Sequence, residues 1–179
     1  MLKFLRSIIK IFFSLTLILF FICWLYVGQN CRIVGHSMEP TLQQDDNIVV
    51  LKKIGKFFNV KRGDIIVFKT RQGDNYIKRA IGLPGDIIAI KNNAVYLNGK
   101  LKREPYLNEV MQTPNLPAIR LPRNKYFVLG DNRNRSTDSR VFGLVDQRAI
   151  LGKAVYRFYP IQDQKVLIKP PSFKQLLGA

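Results

Sequence analysis

Residues 64–69 read Asp64-Ile65-Ile66-Val67-Phe68-Lys69, directly after Arg62-Gly63. A turn feeds four consecutive large apolar residues, three of them β-branched, and a charge closes the run. That pattern reads as a core strand. Similar short runs lie on both sides of it. Residues 47–52 (Asn-Ile-Val-Val-Leu-Lys), 76–81, 86–91, 94–97 and 126–129 read as strands, and 151–159 as a longer one with partial alternation. Gly63-Asp64, Pro84-Gly85-Asp86, Asn92-Asn93, Asn98-Gly99 and Gly130-Asp131 punctuate them. Asn92-Asn93 predicts a hairpin between 86–91 and 94–97. Six or seven short strands, with no long amphipathic helix among them, predict an all-β sandwich or partly open barrel. Residues 98–124 are polar and carry Pro105, Pro114, Pro117 and Pro122. They read as an inserted excursion from the main sheet. The last ten residues, from Pro170, read as a tail.

The N-terminus is of another kind. Residues 11–27 carry no charge, and as a helix they would rise about 26 Å, close to the hydrocarbon thickness of a bilayer. Lys3, Arg6 and Lys10 precede the run, and Trp24 and Tyr26 sit at its far end, where amphipathic rings favour the interface. The expected organisation is mainly β. An N-terminal transmembrane helix over 1–27 leads into a β-rich domain over 28–179, with an insert at about 98–124. The positive flank predicts a single-pass membrane protein, with its N-terminus cytoplasmic and the domain outside. The run is long for a cleavable signal, and Gly28-Gln29-Asn30 is a poor cleavage site.

The net charge is +17, and +14 without the three N-terminal cations. Such a surface attracts polyanions, either nucleic acid or anionic lipid. The membrane anchor favours lipid, and the loop Lys52-Lys53-Ile54-Gly55-Lys56-Phe57-Phe58 suits anionic headgroups, with its phenylalanines dipping in. Cys23 and Cys31 are the only cysteines, so neither a disulfide framework nor a zinc site is expected. No cofactor and no metal are implied.

Candidate chemistry begins at Gly35-His36-Ser37-Met38-Glu39-Pro40-Thr41. His36 is the one histidine of the chain and the immediate neighbour of Ser37. Adjacent side chains on an extended segment point to opposite faces, so His36 is badly placed to deprotonate Ser37. A nucleophilic Ser37 needs another base, and a neutral lysine can serve. In Tyr76-Ile77-Lys78-Arg79-Ala80-Ile81, alternation places Lys78 on one face with Tyr76 and Ala80. Partial burial there lowers a lysine pKa. Gly130-Asp131-Asn132-Arg133-Asn134-Arg135-Ser136-Thr137-Asp138-Ser139-Arg140 holds many oxygen side chains. Its three arginines disfavour a cation, and the spacing is not that of a calcium loop.

These segments occur in order and at fitting gaps after an apolar N-terminus. The chain resembles the bacterial type I signal peptidases, membrane-anchored serine/lysine enzymes that remove signal peptides. The resemblance covers the anchor and nearly all the body. It implies a mostly β fold with a variable insert, Ser37 as nucleophile and Lys78 as general base. It further implies that Ser136 orients the lysine and that Asp138 and Arg140 form a structural pair behind the site. Ile33, Leu42, Tyr76 and Ile77 are then walls of shallow apolar pockets for small side chains, as in Ala-x-Ala. Some members carry a serine two residues before the nucleophile, where its hydroxyl helps stabilise the oxyanion. Gly35 stands there in this chain, which leaves the Ser37 backbone N–H as donor. Archaeal and eukaryotic relatives use histidine where Lys78 stands. The implied partners are preproteins bearing signal peptides and anionic phospholipid, with no nucleic acid, and the protein is expected to be a monomer. Two rival readings are a relative dedicated to one substrate, such as a conjugation pilin, and a membrane-tethered nucleic-acid-binding protein.

Overall fold

The computed structural model describes residues 2–53 and 58–167, with the backbone alone at 2, 3, 5 and 23–26. Helix α1 (Leu2–Val27) comes first, and its described side chains from Phe4 to Ile22 are all exposed. Among the described residues no helix is long and apolar enough to cross a membrane. The unbroken described side-chain run of α1 is 6–22. The side chains of Lys3, Cys23, Trp24 and Tyr26 lie outside it, as do Lys56, Phe57 and the expected tail from Pro170.

Among the described residues twelve strands follow: β1 (Gly28–Arg32), β2 (Asn47–Lys52), β3 (Ile65–Lys69), β4 (Asn75–Gly82), β5 (Ile87–Lys91), β6 (Ala94–Leu97), β7 (Lys100–Leu101), β8 (Leu116–Arg120), β9 (Lys125–Leu129), β10 (Val145–Asp146), β11 (Ile150–Tyr159) and β12 (Lys165–Val166). One four-residue helix, α2 (Ser139–Phe142), lies between β9 and β10. The main sheet runs β1-β2-β11-β3-β4-β9-β10, with β12 paired to β11, and all its pairings are antiparallel. A second sheet runs β7-β6-β5-β8.

The apolar run of β3 is explained by two covered faces. Ile65 and Val67 pack into a cluster with Ile33, Met38, Leu42, Ile48 and Val50. Ile66 and Phe68 pack the other way, with Val60, Ala80, Tyr126 and Val128. Period-two alternation thus feeds two cores from one strand. A third cluster, including Ile81, Ile88, Ile90, Leu121 and Phe127, joins the second sheet to β4 and β9.

Asn92 and Asn93 do close the β5–β6 hairpin, with φ of 49° and 60°, the left-handed pair that a two-residue type I′ turn requires. However, β5 and β6 belong to the second sheet, so the departure from the main sheet begins at residue 87 rather than near 98. Strands β1, β7, β8, β10 and β12 have no apolar run to announce them. They form because a neighbouring strand offers a backbone edge, which is a tertiary cause. Phe58 is half-buried against the second cluster, with Lys153 Nζ 5.5 Å from its ring centre. One part of its ring therefore packs against the protein.

Candidate active site

The segment 33–46 is tied at both ends. Ile33 N–H donates to the Asp46 carbonyl (2.8 Å) and Asp45 N–H to the Ile33 carbonyl (2.9 Å). Met38 and Leu42 are 1% and 0% exposed, two apolar pegs that seat the segment on the first core cluster. Arg157 Nη1 reaches the buried Asp46 carboxylate at 2.9 Å and the Thr41 carbonyl at 3.3 Å. Half-buried Ser37 lies between these anchors.

Strand β4 brings Lys78 to it. The pairing of β9 covers β4 only from Arg79 onward, which leaves that edge of residues 75–78 open. Lys78 stands where the cover ends. Its Nζ lies 2.8 Å from Ser37 Oγ, 2.9 Å from the Ile77 carbonyl and 5.3 Å from the Tyr76 ring centre. Only 4% of the residue is exposed. Burial lowers its pKa from 10.5 to about 8, against the pull of Asp138 and Asp131 in the opposite direction. A protonated Nζ donates to Ser37 Oγ. Once neutral, it can accept the hydroxyl proton across the same contact.

His36 is turned elsewhere, with its Nδ1 2.7 Å from Glu39 Oε1 on the exposed surface. Neither ring nitrogen has a hydrogen bond to Ser37 among the described residues. Gly35 has φ +94°, and nothing lies within 4 Å of where its Cβ would be.

Behind Ser37 runs the loop 130–140. Asn132 N–H donates to the Ser37 carbonyl (3.1 Å), and Asn132 Nδ2 to the His36 carbonyl (3.1 Å). A Cβ on Gly130 would collide with Ser136 Oγ and with the Ser37 carbonyl, so glycine is what permits the close approach. Ser136 Oγ is buried and has no hydrogen-bond partner among the described residues. Asp138, 0% exposed, caps α2 and takes a two-pronged bond from Arg140 (Nε–Oδ1 2.8 Å, Nη2–Oδ2 2.8 Å). It also accepts the Gly130 N–H at 3.0 Å. The pairing of Asp138 with Arg140 expected from sequence is thus present.

A cleft of about 640 Å³ opens beside the pair, lined by Ile33, Val34, Ser37, Tyr76, Ile77, Lys78, Arg135 and Thr137 among others. Three of the four expected pocket residues border it. Leu42 does not, since it is fully buried in the cluster behind Ile33 and can shape the cleft only through that residue.

Other participants were not visible in the sequence. Arg79 makes a fork to buried Asp131 (Nε–Oδ1 2.8 Å, Nη2–Oδ2 2.6 Å) and reaches the Gly63 carbonyl at 2.7 Å. Thr41 Oγ1 donates to the same carboxylate. Arg133 makes a fork to Glu104 (2.7 and 2.8 Å), and the Tyr106 ring lies 4.2 Å from the Arg79 guanidinium. Strand alternation already separated Arg79 from Lys78, but no local signal names partners 52 and 29 residues away.

With this geometry in place, comparison with known proteins is direct. The family profile described as "Signal peptidase, peptidase S26" matches residues 5–159. Signal peptidase IB of Staphylococcus aureus is 35% identical over 178 residues, covering 90% of this chain and 93% of that one. A probable signal peptidase I-1 of Synechocystis sp. is 40% identical over 154 residues, 81% of this chain and 78% of that one. A solved signal peptidase I from Enterococcus faecalis is 36% identical with a TM-score of 0.48, covering 54% of this chain and 97% of the other.

Proposed function

Because this chain belongs to the signal peptidase family, peptidase S26, we propose that it removes signal peptides with Ser37 as nucleophile and Lys78 as general base. It is a signal-peptide-cleaving serine endopeptidase; the proposal concerns which groups act. The observation that carries it is the 2.8 Å contact between Lys78 Nζ and Ser37 Oγ, made by a lysine whose pKa is lowered to about 8. A substantial neutral fraction at mildly alkaline pH makes that amine a competent base.

Neutral Lys78 takes the Ser37 proton as Oγ attacks the scissile carbonyl. The Ser37 backbone N–H, which carries no hydrogen bond among the described residues, stabilises the oxyanion. As the intermediate collapses, the Lys78 ammonium gives that proton to the leaving amine, so the C–N bond breaks, the mature protein departs and an acyl-enzyme with a neutral Lys78 remains. Lys78 then activates water to free the signal peptide. Asp138 and Arg140 hold the loop behind the amine, while the expected orienting contact from Ser136 Oγ to Lys78 is not made in this structure. The substrate lies extended along the open edge of β4 at 75–78, and the walls formed by Ile33, Tyr76 and Ile77 admit only small side chains before the cut, as in Ala-x-Ala.

Helix α1 is the single-pass anchor, with Lys3, Arg6 and Lys10 on the cytoplasmic side and the β domain outside. It confines enzyme and substrate to one plane and raises their effective concentration. The basic body favours anionic phospholipid. The deciding experiment incubates the detergent-solubilised full chain with a preprotein whose signal peptide ends in Ala-x-Ala. Ser37→Ala is expected to abolish cleavage, as is a leucine in place of the final alanine. Cleavage by Ser37→Ala near the wild-type rate would overturn the reading.

A further inference from the structure

Among the side chains that join the region of the second sheet to the site, Glu104 is buried and charged. Glu104 follows β7, outside the main sheet. Its carboxylate receives both terminal nitrogens of Arg133, at 2.7 Å and 2.8 Å. The two side chains are 6% and 2% exposed. Tyr106, two residues on, donates its hydroxyl to the same carboxylate at 2.5 Å. Arg133 has one further side-chain donor, Nε, and it goes to the Gly130 carbonyl at 2.9 Å.

Gly130 is the tightest point of the site. Its N–H is held by Asp138 at 3.0 Å. The space of its absent side chain is filled by Ser136 Oγ and the Ser37 carbonyl. Two residues on, Asn132 N–H holds that Ser37 carbonyl at 3.1 Å. The Arg133 backbone carbonyl accepts from Arg140 Nη2 at 2.7 Å, so the guanidinium that Glu104 grips lies at the junction of the whole loop. A planar guanidinium gripped by a fork is fixed in orientation as well as position, and its third donor then fixes the Gly130 peptide.

We infer that Glu104 is a positioning residue for the nucleophile: through Arg133 it fixes the Gly130 peptide, and so holds the loop 130–140 against Ser37 and Lys78. The second sheet is thereby part of the catalytic frame. The inference rests on the serine/lysine reading of the site. Glu104 neither lines the cleft nor contacts Ser37 Oγ or Lys78 Nζ, so its loss is expected to act on the rate of chemistry and to leave substrate binding in the cleft intact.

The test uses the full chain in detergent and a preprotein substrate, with kcat and KM measured well below each variant's melting temperature. Glu104→Gln keeps the volume but loses the charged fork. It is expected to lower kcat by about 10- to 100-fold, the scale of a small misplacement of reacting groups, with KM changed less than about twofold. Should Glu104→Gln fail to fold, the double variant Glu104→Met with Arg133→Met removes both buried charges at similar volume, a change that cores tolerate. It still lacks the donor to Gly130 and is expected to show the same split. Wild-type kcat in a folded variant, or a loss confined to KM, would overturn the inference. Ser37→Ala in parallel separates the two questions. If it is inactive while the Glu104 variants are fully active, only the positioning role fails; if it is active, the serine reading itself fails.

Discussion

Lys78 and Arg79 are successive residues of β4, and together they hold the segment that carries Ser37 at two points. Lys78 Nζ lies 2.8 Å from Ser37 Oγ, and Arg79 Nη2 lies 3.3 Å from Thr41 Oγ1. The first contact places the proposed base and the second braces the segment. Arg79 also pairs with Asp131, one of the two carboxylates that raise the proton affinity of Lys78. One strand therefore positions the proposed base and tempers a charge that acts on it.

Activity should rise with pH through about 8, where buried Lys78 loses its proton. Lys78→Arg keeps the positive charge, but guanidinium does not deprotonate in this range. A pH profile of kcat/KM and an assay of Lys78→Arg check this. Substantial cleavage by that variant would make Lys78 an electrostatic cation instead.

The same burial predicts a cost in stability. The folded pKa is about 8 against 10.5 for the free group. Between these values the unfolded chain binds more protons, so the contribution of Lys78 to stability improves as pH rises through the window. Below pH 8 the folded state carries the full penalty, on the order of 3 kcal/mol. Lys78→Met should therefore melt higher than wild type at pH 7, and the gain should shrink towards pH 10.5. A variant that melts lower at pH 7 would contradict this.

Arg79→Gln leaves Asp131 buried without its cation. Breaking such a pair costs about 3–5 kcal/mol, and the exposed Asp131 field should move the activity midpoint of Lys78 to higher pH. Arg79→Gln with Asp131→Asn removes both charges and should return the midpoint to the wild-type value or below. Identical profiles in all three proteins would show that the pair does not tune Lys78.

His36→Ala should retain most activity, because the imidazole contacts Glu39 on the surface. Exposed pairs contribute little. A loss as large as that of Ser37→Ala would point to a histidine base.

Protease added to intact spheroplasts should digest the body of the protein while leaving the N-terminal anchor with the membrane. Full protection of residues 28–179 would reverse the proposed orientation. Release of the chain by high salt alone would show that α1 does not span the bilayer.

The strands that carry the core were legible because their cause is local. Runs such as Ile65-Ile66-Val67-Phe68 prefer extended backbone and have no other way to leave water. The Asn92-Asn93 turn was legible for the same reason, since few residues accept two consecutive left-handed conformations. Ser37 and Lys78 were legible as a motif rather than as a contact. What tertiary structure alone decided is which groups meet: Arg79 with Asp131, Glu104 with Arg133, and Leu42 turned to the core instead of the cleft. It also decided that β5 and β6 leave the main sheet, and how far Lys78 is buried. Apolar burial is non-directional, so residue identities specify that a strand is covered but not by what. The partner of a charged side chain is set by which surfaces end up facing each other, and that is a property of the packed sheets.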